Sequence, residues 1–288
     1  MSLQEFFNFA LVVFTLSNIG ALGLAINLRD ATKTLVSLHA IGLILLWGWI
    51  IGPLVASLII WLLPLSDAHA AGLLLISLAP TAPFFPLMVS MARGDMNFAG
   101  AFMMLSTVGV VLGVPLLAPL LITGLSVDAW SLARPMLVLV LSPILVGSAI
   151  RFFAPNVATK LLPVVQKIGG LFLVIGLGLT LWIYGRDMLS LVGSFAPGAQ
   201  VLFFIVMTTL SYTIHFGLTQ PQRSAMALGM CTRNIAAVFA AYFGIINPPD
   251  GLFVMVALVI PLAAIVAVGA ARLFARWAPA AAEEGGTG

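Results

Sequence analysis

Arg233 is the side chain that most demands a chemical explanation. It lies in Met230-Cys-Thr-Arg-Asn-Ile-Ala-Ala237, inside a long apolar stretch. A guanidinium keeps its charge at physiological pH, and at mid-bilayer it costs at least ~2.5 kcal/mol. No Asp or Glu falls within an apolar stretch. Two readings follow: the counter-charge is a bound anion, or backbone carbonyls at a helix end solvate a structural arginine. Thr232 and Asn234 beside it offer uncharged donors and acceptors, suited to lining a pocket or to bonding between helices.

A second candidate group is Leu78-Ala-Pro-Thr-Ala-Pro-Phe-Phe-Pro-Leu87. Pro80, Pro83 and Pro86 each remove a backbone donor and clash with the preceding turn, which should break a helix there. Thr81 lies within the break as a further pocket residue, unless its hydroxyl returns to its own backbone. Phe84 and Phe85 would give an aromatic-lined cavity, or face lipid. His215, close to Thr208, Thr209, Ser211 and Tyr212, is a candidate proton relay because imidazole titrates near neutral pH.

No catalytic constellation accompanies these residues. Cys231 is the single cysteine, and there is no metal-type His/carboxylate spacing, no Gly-rich phosphate loop followed by Lys and no Ser/His/Asp group on facing elements. The expectation is a protein that is not an enzyme and holds neither cofactor nor metal.

The elements that must position these residues are apolar almost throughout. Hydrophobic residues make up 62% and charged residues 7% of the 288, against about 25% charged in soluble domains. A chain with so few charges cannot build a water-facing shell, so the bilayer is its solvent. The net charge of +3 is spread as single residues between apolar runs, which argues against nucleic acid. Dividing the chain at charged, polar and Pro/Gly breaks gives about nine spans of about 20 residues or more. They run near 6–26, 34–63, 69–92, 97–123, 129–153, 161–185, 198–218, 222–244 and 251–275, and 278–288 reads as a disordered tail. Phe6 to Ile26 is expected to be a retained span, since no basic segment precedes it.

Alternating the connections puts Arg29, Lys33, Arg93, Arg151, Lys160, Lys167, Arg223, Arg272 and Arg276 on one side. Positive charge marks the cytoplasmic face, so a bacterial inner-membrane protein with its N-terminus outside and its C-terminus inside is expected. Interrupted spans in corresponding places of two halves point to an inverted-repeat transporter whose polar cavity lies where they meet. The third and eighth spans stand in that relation.

Pro80-Thr-Ala-Pro-Phe-Phe-Pro-Leu-Met-Val-Ser-Met-Ala-Arg-Gly-Asp95 resembles the discontinuous-helix motif of the bile acid:sodium symporter superfamily. Asn18 to Asp30 is similar to that family's early Gly-rich span, Leu105 to Ile122 to its next helix, and Gly229 to Ala237 to its second crossover segment. The resemblance implies one membrane unit over 1–277 with two crossed broken helices. It further implies a panel of 1–30 and 127–187, packed against a core of 34–123 and 197–277.

The departures from the family pattern lie at the implied sodium sites. Phe85 and Pro86 stand where sodium-coupled members carry Ser-Asn, Ala99 and Met103 where the next helix supplies hydroxyls, and Gly48 where a Gln precedes proline. The crossover glutamate is absent, and Arg233 occupies a position near the family's Gln. The expectation is a secondary transporter of a small organic anion, not coupled to sodium at the usual sites and with protons as a possible partner. The rivals are a sodium symporter with relocated ligands and a membrane receptor or scaffold that has lost transport.

Overall fold

The computed structural model describes residues 2–25, 37–122, 128–191, 193–249 and 251–278. Arg29 and Lys33, used above for sidedness, lie outside the described residues, as does the tail from 279 onward.

The protein is an all-α polytopic membrane protein. Its helices are α1 (Leu3–Ala25), α2 (Leu38–Leu62), α3 (Asp67–Ser77), α4 (Phe85–Met91), α5 (Met96–Leu121) and α6 (Ala129–Phe153). Then come α7 (Pro155–Ser190), α8 (Ala196–Thr213), α9 (Gln220–Cys231), α10 (Ile235–Tyr242) and α11 (Leu252–Trp277). Among the described residues seven, α1, α2, α5, α6, α7, α8 and α11, are long and apolar enough to cross a membrane. The third and eighth expected spans are instead two short helices each, and neither half has that length alone.

Helix starts follow local chemistry. Ser66, Asp95, Asp128 and Asn234 each accept a backbone N–H of the first turn, and Thr219 with Gln222 forms a reciprocal capping box. Inside α2 and α6 the helix widens to π geometry over Leu46–Ile51 and Leu137–Leu141, just before Pro53 and Pro143. Each proline lacks the N–H that would bond back into that turn, and widening absorbs the ring.

Lipid accounts for the outer surface. Trp182 is 81% exposed, and Phe153, Leu120 and Val174 also point outward, an arrangement that water would penalise over so large an area. Between helices, glycine permits close approach. A Cβ at Gly23 of α1 would lie 2.5 Å from the Ile144 carbonyl of α6, and one at Gly109 of α5 would lie 2.5 Å from the Trp49 indole of α2. The α1 helix packs chiefly on α6 and α7, while α8 packs on α9, α2 and α11. Of the two broken pairs, α9 and α10 are buried almost throughout, whereas α4 buries Phe85, Met88 and Val89 and leaves Leu87 and Met91 exposed.

Candidate functional site at the crossing of two interrupted helices

The first interruption runs from Leu78 to Phe84. Pro80 disfavours helical backbone at Ala79, and Pro83 prevents early resumption. Pro86 then sits in the first turn of α4, where a missing N–H is harmless. The second interruption, Thr232 to Asn234, contains no proline. There Thr232 turns extended (ψ 151°) at the end of α9, and the Asn234 side chain accepts the Ala237 N–H to start α10.

The two unwound segments satisfy one another. Thr81 N–H donates to the carbonyls of Thr232 (3.0 Å) and Gly229 (3.2 Å), and Asn234 N–H donates to Ala79 O (2.9 Å). Ala82 N–H donates to the Thr232 hydroxyl (3.2 Å), which itself donates to Leu228 O (2.9 Å). Pro80 and Arg233 form an isolated antiparallel bridge. Since Pro80 and Pro83 carry no N–H, the donors freed by unwinding at Thr81, Ala82 and Asn234 are all used, as a lipid-embedded backbone requires. The crossing has a cost: Thr81 is held at φ +66°, a left-handed conformation that strains a β-branched residue by about 1–3 kcal/mol.

Arg233 is 2% exposed, yet its Nε and both terminal nitrogens have no hydrogen-bond partner among the described residues. Its guanidinium carbon lies 4.9 Å from the centre of the Phe203 ring. A cation–π contact of that kind contributes about 0.5–2 kcal/mol, less than an unpaired buried charge requires. Arg233 is a lining residue of a cavity of about 840 Å3, with its guanidinium nitrogens enclosed beside Phe203, which does not line it. Ala82, Pro83 and Phe84 of the first break, Arg233 of the second and Ile235 at the start of α10 line it, together with residues of α1, α4, α5, α7 and α11.

Ala25, Met96 and Gln166 line the cavity, so it extends toward the end of the bundle where α1 finishes and α5 begins. Beyond its far end the helices are joined by aromatic rings. Phe253 of α11 contacts Phe7 of α1 at 5.2 Å, Tyr184 of α7 at 4.9 Å, and Phe239 and Tyr242 of α10 at 5.7 and 5.5 Å.

The residues singled out in the sequence separate into distinct places. Arg233, Pro83 and Pro86 line the cavity; Thr81, Thr232, Asn234, Phe85 and Pro80 are not among its lining residues. The Thr81 hydroxyl donates to Pro80 O (2.6 Å), Thr232 ties the two breaks together and Asn234 caps α10. Phe85 is fully buried edge-on to Phe102 at 5.5 Å, and its neighbour Phe84 lines the cavity instead. His215 follows α8 and lies away from the cavity, with its Nδ1 buried and unpartnered among the described residues.

Sequence reasoning passed over three carboxamides on the cavity wall, Asn18, Asn97 and Gln166. The signal for two of them was present. Asn18, Ala21, Leu22 and Ala25 fall on one helical face, as do Gln166, Gly169, Gly170 and Leu173, and both sets line the cavity. Among the described residues no group of three or more His, Cys, Asp or Glu is placed to hold a metal ion.

Comparison with known proteins adds two findings. A family model described as the sodium bile acid symporter family matches residues 12–190. The probable sodium/metabolite cotransporter BASS2, chloroplastic, of Oryza sativa subsp. japonica is 27% identical over 150 residues, which is 52% of this chain and 36% of that relative. The matched part thus spans little more than a third of the relative's length.

Proposed function

Because the chain belongs to the sodium bile acid symporter family, we propose that it carries a small organic anion across the membrane by alternating access, with Arg233 holding the anion's charge. One observation carries this reading: Arg233 is a lining residue of the cavity, and its three guanidinium nitrogens, enclosed by protein, have no acceptor among the described residues. A carboxylate about 4 Å from such a group gains about 4 kcal/mol at an effective dielectric of about 20, and two parallel hydrogen bonds would fix its orientation.

Coupling follows from the same residue. Sodium needs several oxygen ligands, as hard cations do. The positions matching the family's sodium ligands here hold Phe85, Pro86, Ala99, Met103 and Gly48, none of which has a side-chain oxygen. Arg233 is a fixed cation in their neighbourhood, so anion binding proceeds without sodium. The α1, α6 and α7 helices form the panel and the remaining helices the core. The cavity between them opens to the cytoplasm, with the N-terminus outside, in a bacterial inner membrane.

Uptake into proteoliposomes of a panel of radiolabelled organic anions, with sodium or choline as the external cation, tests this. Equal uptake in both salts that is lost in Arg233→Gln is the expected result. Uptake that vanishes in choline would support a sodium symporter with relocated ligands, the coupling named for the rice relative. Binding without uptake in either salt would support a receptor or scaffold.

A further inference from the structure

We infer that a second site, away from the cavity, holds the phosphate of an anionic membrane phospholipid at the end of the bundle where α8 finishes, α9 begins and α11 finishes. Arg223 and the Tyr212 hydroxyl are its donors.

The site is built around one aromatic ring. Tyr212, on the last turn of α8, is 8% exposed and lies flat against Phe274 of α11, with ring centres 4.2 Å apart and planes 6° from parallel. The guanidinium carbon of Arg223, at the start of α9, lies over the same ring, 4.6 Å from its centre. Phe274 fills one face at stacking distance, so Arg223 takes the other. Trp277, which ends α11, adds a third ring 5.5 Å from Tyr212. Three helices thus hold a cation beside a phenol, and the cation–π contact orients the guanidinium plane.

Neither group is satisfied. The Tyr212 hydroxyl and Arg223 Nε are enclosed without a hydrogen-bond partner, and Arg223 has no ion pair among the described residues. Asp95, whose N–H donates to Pro221 O beside Arg223 in the chain, spends its Oδ1 on the N–H groups of Asn97 and Phe98. An enclosed hydroxyl and an unpaired guanidinium both lose hydration that only an acceptor restores. The terminal nitrogens of Arg223 are not enclosed, so an anion reaches that fork from outside, and a shift of the guanidinium along the ring brings the hydroxyl into the same contact. A phosphate diester offers two free oxygens that share one negative charge, which suits a guanidinium fork and a hydroxyl side by side.

The surroundings show where that phosphate comes from. Ile214 and Phe216, in the turn before α9, are about half exposed, as is Trp277. Helix ends lie at headgroup depth, where tryptophan is enriched, and acyl chains would cover these side chains as a free phosphate could not. Arg272 and Arg276, exposed near the end of α11, add attraction toward an anionic surface. Because Arg223 opens α9, the bound headgroup ties the second interrupted pair to α8 and α11.

The test uses the purified full chain in detergent, with melting temperature and native mass spectrometry as readouts. The probes are phosphatidylglycerol, phosphatidylcholine, whose choline cation masks the same phosphate, and inorganic phosphate. In wild type, phosphatidylglycerol should raise the melting temperature by several degrees and remain bound as a single lipid, while the other two leave the protein unchanged. Arg223→Gln and Tyr212→Phe should each weaken phosphatidylglycerol about tenfold. Tyr212→Phe removes only an unpartnered hydroxyl, so it decides the matter alone should Arg223→Gln fail to fold. Lys160→Gln/Lys167→Gln, which removes two exposed charges from α7, should bind as wild type does. Equal binding of the two lipids, undiminished binding in Tyr212→Phe, or an equal loss in the lysine variant would overturn the site. Stabilisation by inorganic phosphate as large as that by phosphatidylglycerol would overturn the lipid as its occupant.

Discussion

At the scale of single residues, Arg233 works against the stability of the empty protein. Its charge is buried without a partner among the described residues. Replacing it with Met, similar in length and free of polar atoms, should therefore raise the melting temperature of the ligand-free protein while abolishing stabilisation by organic anions. Differential scanning fluorimetry with and without anion reads both effects. A lower melting temperature for the unliganded variant would mean that Arg233 is structural. Thr81 offers a second test. Glycine at that position relieves the strain at φ +66° but gives up the hydroxyl bond to Pro80 O, so Thr81→Gly should change stability by no more than about 1 kcal/mol. Thr81→Val, which keeps the branched shape at positive φ and loses the hydroxyl, should be the less stable of the two by about 1 kcal/mol. Arg233 was legible in the sequence because a charge in an apolar stretch is rare whatever surrounds it. Asn18 and Gln166 lay on helical faces that the sequence did show, but a lone amide on such a face acquires meaning only when the face is known to border a cavity. The hydroxyls and amide of Thr81, Thr232 and Asn234 were legible as polar groups, but not as backbone partners, since their use depends on which segment crosses them.

At the scale of elements, the crossing depends on bare backbone as much as on hydrogen bonds. Gly229, whose carbonyl accepts from Thr81, has no room for a side chain: a Cβ there would collide with the ring of Phe102 on α5. Gly229→Ala should lower thermal stability by about 1–3 kcal/mol, and a Phe102→Leu background should recover part of the loss. A neutral effect of Gly229→Ala would mean that α9 and α5 are not packed this closely. The first break was legible because three prolines within a few residues leave a helix no way to continue. The second has no proline, and only the polarity of Thr232-Arg-Asn234 suggested it. What stops α9 is the bond network supplied by the first break, a tertiary cause that local propensity does not register. The π turns before Pro53 and Pro143 lay beyond prediction for a related reason: a proline in an apolar run announces a disturbance without saying whether the helix kinks, breaks or widens.

At the scale of the whole molecule, the cavity extends toward one end and Phe7, Tyr184, Phe239, Tyr242 and Phe253 join the helices at the other. Composition and span length made the membrane fold legible, and paired interruptions in two halves made the transporter reading legible. Which end of the pathway is closed was not, because closure depends on rings from four helices meeting. The native Cys231 is buried, so the wild-type chain should resist a membrane-impermeant maleimide. In a Cys231→Ser background, Ala25→Cys and Gly170→Cys, on the cavity wall, should label from one side of the membrane, and Phe253→Cys should stay protected. Rapid labelling of Phe253→Cys from the opposite side would mean that the aromatic rings do not close the pathway.

The central claim is that Arg233 holds an organic anion in place of a sodium-assisted site. The most direct measurement is the shift in melting temperature of purified protein with a panel of organic anions, in sodium and in choline, for wild type and Arg233→Gln. A ligand that binds the native state at a hundred times its dissociation constant stabilises it by about 2.7 kcal/mol, several degrees for a chain of this size. An anion that stabilises wild type equally in both salts, and leaves Arg233→Gln unmoved, is the predicted result. Stabilisation that requires sodium and survives in Arg233→Gln would contradict the account.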